Sequence, residues 1–160
     1  MRLAVVSFSD TGEALAKRIA DGLEGREAPA RHGEKASLCE VWTARCPRDG
    51  SLAAWTKVRF ADADGLVFIG AAGIAVRAIA PYVQSKATDP AVVVVDEGGC
   101  YAVSLLSGHL GGGNALTMMI AEAADAEPVI TTATDVHGQF AVDDWARTQA
   151  LTVFNKQMIK

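Results

Sequence analysis

Residues 91–96 read AVVVVD, four β-branched valines in succession closed by an acid. Branched side chains are stiff in helices and fit the pleated surface of a strand. Residues 64–70, DGLVFIG, form a second continuous apolar run. A short unbroken run of this kind marks a strand buried on both faces, as in parallel sheets covered by helices. These two segments constrain the chain more than any others. Between and around them strand patterns alternate with helical ones, which predicts a layered α/β domain: a mostly parallel sheet flanked by helices.

The remaining elements follow from periodicity and punctuation. Residues 3–8 (LAVVSF) predict a first strand. Asp10 is the expected helix cap, with Glu13 three residues on as in a capping box. Leu15, Ile19 and Leu23 recur on one face, and Gly25 ends the helix. Residues 26–36 predict a loop, 37–43 a strand and 52–61 a helix. The helix that follows DGLVFIG is broken by Pro81. EGG then turns the valine strand into YAVSLLS, so a hairpin is expected over 91–107. Residues 116–126 predict a helix, 127–135 a strand, and AVDDWARTQAL a last helix. The chain stops at TVFNKQMIK without a helix stop. Residues 1–145 are expected to form the α/β domain, and 146–160 the start of a following element or linker in a longer protein.

Composition excludes several classes. The 160 residues suit one domain. The net charge is −4 and the basic residues are scattered, unlike the basic stripe of a nucleic-acid binder. The first ten residues are too briefly apolar for a signal peptide. The longest uncharged apolar window, residues 65–76, falls short of the ~20 residues of a membrane helix. Cys39, Cys46 and Cys100 are odd in number and form no CxxC, so they read as reduced thiols of a cytoplasmic protein, with no metal site.

Ligands of open parallel sheets bind beyond the carboxyl ends of the strands. Ser7–Gly12, Gly73, Asp96, the stretch SGHLGGGN (107–114), and Thr131, Thr132 and Asp135 all follow strand patterns. If those strands run parallel, these groups converge on one rim. Gly73 and Gly111, Gly112 and Gly113 open helices, where amides and the helix dipole favour anions. GHLGGGN lacks the Lys-Ser/Thr of a Walker loop and the glycine spacing of a dinucleotide site. His109 is the candidate acid or base, since an imidazole exchanges protons near neutrality. Its plain alternative is a residue of a tight turn. Asp96 and Asp135 are candidates to orient it or to act as bases; the alternative for both is capping after a strand. Arg77 can hold a carboxylate bidentately or lie on a solvated helix face. Lys86 and Asp89 can bind ligand, pair with each other, or belong to a turn fixed by Pro90. SFSDTGEALAKRIA distantly resembles the phosphate loop of flavodoxins, which makes an FMN-binding domain an alternative reading, although Asp10 and Glu13 would repel a phosphate.

The segments GIAVR, KATDPAVVVVDE, SLLSGHLGGGN and TTATD, in that order over about residues 64–146, closely resemble the CbiG family. These are the cobalt-precorrin-5A hydrolases of anaerobic cobalamin biosynthesis. The family usually carries a further CobE-like C-terminal domain. Gly113 stands where relatives often have alanine, a difference expected not to matter. The resemblance implies a substrate, an anionic cobalt tetrapyrrole with a δ-lactone, which water opens before a two-carbon fragment leaves as acetaldehyde. It implies no added cofactor, because the cobalt belongs to the substrate. On that reading His109 is the base. The amides of Gly111, Gly112 and Gly113, with Ser107 or Asn114, stabilise the oxyanion. Asp96 or Asp135 assists, and Gly73, Arg77, Lys86, Gly108, Thr131 and Thr132 hold the substrate. A tetrapyrrole-binding domain that needs the C-terminal domain for activity is the alternative.

Overall fold

The computed structural model describes residues 1–28, 37–109 and 111–132. Its ten elements are β1 (Arg2–Ser7), α1 (Asp10–Leu23), β2 (Glu40–Arg45), α2 (Leu52–Asp62), β3 (Gly65–Ile69), α3 (Ala72–Ile79), β4 (Ala91–Val95), β5 (Tyr101–Leu106), α4 (Gly113–Ala124) and β6 (Glu127–Val129). The six strands form one sheet in the order β2-β1-β3-β4-β5-β6. The pairs β2–β1, β1–β3 and β3–β4 are parallel. β5 runs antiparallel to β4, and β6 runs parallel to β5. The expected α/β layering, mostly parallel sheet and hairpin are all present.

Side chains alternate across a strand, so each central strand feeds two cores. Leu3, Val5, Val67, Ile69, Val93 and Val95 pack beneath α1 and α4. Ala4, Val6, Leu66, Phe68, Val92 and Val94 pack beneath α2 and α3. This explains the unbroken valine run: a strand covered on both faces has no solvent side on which to put polar residues. Each of these valine, leucine, isoleucine and phenylalanine side chains contributes on the order of 1.5–3 kcal/mol by leaving water. Leu15, Ile19 and Leu23 are buried as their spacing predicts.

Two expectations shift. The α1 cap is Ser9, extended at φ −137°, whose hydroxyl accepts the Gly12 N–H; Asp10 is already helical. β2 begins three residues later than its pattern suggests and lies at a sheet edge. Of its outward amides, Val41 donates to Glu24 at 2.9 Å and Arg45 to Asp49 at 2.8 Å, so carboxylates close an edge that would otherwise invite pairing. Pro128 sits in the short edge strand β6, where its missing N–H costs least. Much of the 26–36 loop, the end of the 127–135 strand, the last helix and 146–160 lie outside the described residues.

Candidate functional site

The β4–β5 turn decides where the chemistry collects. Asp96 closes it: one carboxylate oxygen accepts the Gly98 N–H at 3.0 Å, the other the Tyr101 N–H at 2.6 Å. Gly99 takes φ +71°, which glycine adopts without the cost of a side chain. The chain reverses, so β5 and β6 end at the edge where β1, β3 and β4 begin. A five-residue strand spans about 17 Å. The single rim expected from a parallel sheet is therefore two. Gly73, at the start of α3, and Asp96 lie at one edge, while residues 107–109 and 111–114, Thr131 and Thr132 lie at the other. Asp96 is a turn residue and cannot orient His109. Asp135 lies outside the described residues.

At the second edge Ser107 ends β5 in the left-handed region, at φ 58°, although it is not glycine. Its side chain is buried, and its hydroxyl donates to the Asp89 carbonyl at 3.1 Å. Asp89 is buried as well. Its carboxylate accepts the amides of Gln84 and Ser85 at 2.9 and 3.0 Å, which fixes the turn that exposes Lys86. Lys86 and Asp89 are thus a turn and not an ion pair.

The glycine loop folds back on Ser107. The Gly113 amide donates to the Ser107 carbonyl at 3.0 Å, Asn114 to Gly108 at 2.9 Å, and Gly112 to His109 at 3.1 Å. A Cβ on Gly111 would stand 2.4 Å from the Ser107 Cβ, and one on Gly113 would stand 2.8 Å from the Leu106 carbonyl oxygen. These glycines let the loop pack against its own backbone. The amides of Gly112 and Gly113 are engaged within the loop, so they do not supply the expected oxyanion donors. Nor is alanine at 113 neutral on this backbone, because the atom it would strike is a carbonyl oxygen, not a flexible side chain.

His109 is half-buried at the head of this loop. Near it a polar chain joins β5, α4 and the segment after β6. Ser104 of β5 donates to Asn114 Oδ1 at 2.8 Å, and Asn114 Nδ2 donates to Thr132 Oγ1 at 2.9 Å. Ser104 was not among the expected site residues. Its signal in the sequence is a hydroxyl inside the apolar strand YAVSLL. Arg77 lies on the exposed face of α3 and donates to the Gly73 carbonyl at 3.1 Å.

The loop proposed to cradle a flavin phosphate is differently occupied. Ser9 caps Gly12, Asp10 pairs with Arg45 at 2.7 Å, and Glu13 pairs with Arg48. Among the described residues no group of three or more His, Cys, Asp or Glu side chains is placed to hold a metal ion. No helix of the described residues is long and apolar enough to cross a membrane.

The profile of the cobalamin synthesis G N-terminal family matches residues 54–135. A cobalt-precorrin-5A hydrolase from Salmonella typhimurium is 46% identical over 144 residues, covering 90% of this chain and 39% of that protein. One from Priestia megaterium is 53% identical over 79 residues, covering 49% of this chain and 21% of that protein. The crystal structure of a cobalamin biosynthesis protein G homolog from Sulfolobus solfataricus superposes with a TM-score of 0.63 at 26% identity, over 81% of this chain and 36% of that one. The chain spans about two fifths of the Salmonella relative's length and less of the others.

Proposed function

Because this chain belongs to the cobalamin synthesis G N-terminal family, we propose that it is a working part of a cobalt-precorrin-5A hydrolase. The observation that carries this reading is the span of the family match. It runs from within α2 through β6 and takes in His109, Asn114 and Thr132. The substrate is an anionic cobalt tetrapyrrole that brings its own metal, and no added cofactor is required.

Lactone opening needs a group that takes a proton from water as oxygen attacks the carbonyl. His109 fills that role. It sits on a loop pinned at Ser107, Gly108 and His109 itself by amides from the start of α4, which limits the freedom of the ring's anchor. Ser107 acts through position: its hydroxyl is committed to Asp89, and it holds the loop against the 84–89 turn. Thr131 and Thr132 lie at the same edge, where hydroxyls can meet the substrate's carboxylates. Gly73 and Asp96, at the opposite edge, take no part in proton transfer.

The test is to mix the chain with cobalt-precorrin-5A, follow the pigment's absorbance and trap acetaldehyde. Acetaldehyde release places the catalytic groups within these residues. Binding without release until the remainder of the longer protein is supplied favours the second reading, a substrate-holding domain. The 39% span of the Salmonella relative is the observation that keeps that reading in play. Absence of both binding and release, with a longer relative active in the same assay, refutes the proposal.

A further inference from the structure

Among the described residues two hollow places invite comparison as seats for a macrocycle, and their charges differ. One is an open groove of about 560 Å³ between α1 and β2. Glu13, Asp21, Glu24 and Asp49 line it against Lys17, Arg45 and Arg48. Both guanidinium groups there are already neutralised, Arg45 by Asp10 and Arg48 by Glu13. A ligand carrying several carboxylates meets repulsion in that groove. Its lining residues all precede the segment matched by the family profile.

The other place lies on the opposite face of the sheet. Two adjoining hollows of about 410 and 320 Å³ share Pro81 and Tyr82. The first is walled by Leu52, Ile74 and Ala78, with Arg77 at its rim. The second holds Phe60, whose ring lies 5.9 Å from that of Tyr82, and Lys57. Among the described residues Arg77 and Lys57 form no ion pair, whereas Arg59 nearby is paired with Asp62 at 3.0 Å. The only carboxylate in either lining is Asp89, and its oxygen is held by two amides of its own turn. An apolar floor between two unpaired cations complements a flat apolar ring with carboxylates at its periphery. The trough also ends at the right place. Asp89 lines it and receives the hydroxyl of Ser107, the anchor of the loop that carries His109.

We infer that the trough between α2 and α3, and not the α1–β2 groove, seats the apolar face of a carboxylated tetrapyrrole, with Arg77 and Lys57 as its carboxylate anchors. The inference rests on the proposed function and adds the location of the macrocycle to it.

Uroporphyrin, a tetrapyrrole with eight carboxylates, serves as the probe. It is titrated into the 160-residue chain, with its visible absorption and the tryptophan fluorescence followed together. Arg77→Glu and Lys57→Glu are each expected to weaken binding about tenfold, the scale of one lost charge-assisted contact. Lys17→Glu, in the other groove, should stay within twofold. Unchanged far-ultraviolet circular dichroism shows that each variant folds. Failure of the wild-type chain to bind, or loss on Lys17→Glu with Arg77→Glu silent, overturns the trough. If Arg77→Glu leaves porphyrin affinity unchanged while the wild-type protein releases acetaldehyde, the trough falls and the hydrolase stands. If binding depends on Arg77 and Lys57 but no form of the protein releases acetaldehyde, the hydrolase falls and the trough stands.

Discussion

Replacing Gly111 by alanine tests whether the glycine loop is a packed object or a flexible one. The added Cβ would lie 2.4 Å from the Ser107 Cβ and 2.8 Å from the Ser107 carbonyl oxygen. Neither atom belongs to the far end of a flexible side chain, so the backbone must move. Overpacking of this kind costs about 1–3 kcal/mol. Displacing Ser107 also strains or breaks its hydrogen bond to Asp89, worth about 1 kcal/mol. The expected loss is about 2–4 kcal/mol, or roughly 5–15 °C in melting temperature for a domain of this size. Gly112→Ala is the internal control. Gly112 has φ +78° but nothing within 4 Å of its added Cβ, so it should lose only about 1–2 kcal/mol, for the left-handed backbone. Urea denaturation followed by circular dichroism, with the m-value compared to confirm two-state unfolding, measures both. A Gly111→Ala variant within 0.5 kcal/mol of wild type, or milder than Gly112→Ala, would falsify the packing account. It would return the glycines to the role of ligand-facing backbone.

Other predictions follow from the same geometry. His109→Ala, made in a form of the protein that releases acetaldehyde, should lower turnover by about 10²–10⁴ while circular dichroism shows the fold retained; unaltered turnover removes His109 from the chemistry. Ser9→Ala should cost about 1 kcal/mol as the loss of the true α1 cap. Asp10→Ala, which removes only an exposed ion pair with Arg45, should cost less, and the reverse order in thermal melts sinks the cap assignment. Ellman's reagent should find one accessible thiol, Cys100, in the native chain and the buried Cys39 and Cys46 only on unfolding. Burial raises the pKa of both hidden thiols above the ordinary value of 9.0. Their contribution is therefore fully present below that pH and is lost as the pH rises above it, because the unfolded thiols ionise first. The urea midpoint should fall between pH 8 and pH 10, and fall less in a Cys39→Ala, Cys46→Ala double variant. Equal falls in the two proteins contradict the assignment.

What the amino-acid sequence determined by itself is the set of interactions that act over a few residues. The valines of β4 and the LVFI of β3 specify strands covered on both sides, because no register of either strand offers a polar face. The spacing of Leu15, Ile19 and Leu23 sets the buried face of α1, and Gly98 and Gly99 mark the hairpin turn. The motifs over residues 64–146 identified the family, since their order along the chain needs no fold to be recognised. The choice of Ser9 over Asp10 as the cap was not legible: both carry a short acceptor, and which one caps depends on the residue left extended at the helix entry.

Only the tertiary structure decided which groups meet. The hairpin was legible, but its consequence is geometric: one antiparallel strand sends the segments that follow β5 and β6 to the other edge, and so parts Asp96 from His109. The three glycines could be counted from the sequence, yet whether they face a ligand or their own backbone depends on where Ser107 lies, and Ser107 is held by Asp89, eighteen residues earlier. The α2–α3 trough is likewise invisible along the chain. Lys57 lies on α2, Arg77 on α3 and Tyr82 in the turn after it, and among the described residues the two cations form no ion pair while Asp62 and Asp89 are engaged elsewhere. Periodicity reports which face of an element is buried; contact and charge balance between distant elements exist only once the chain is folded.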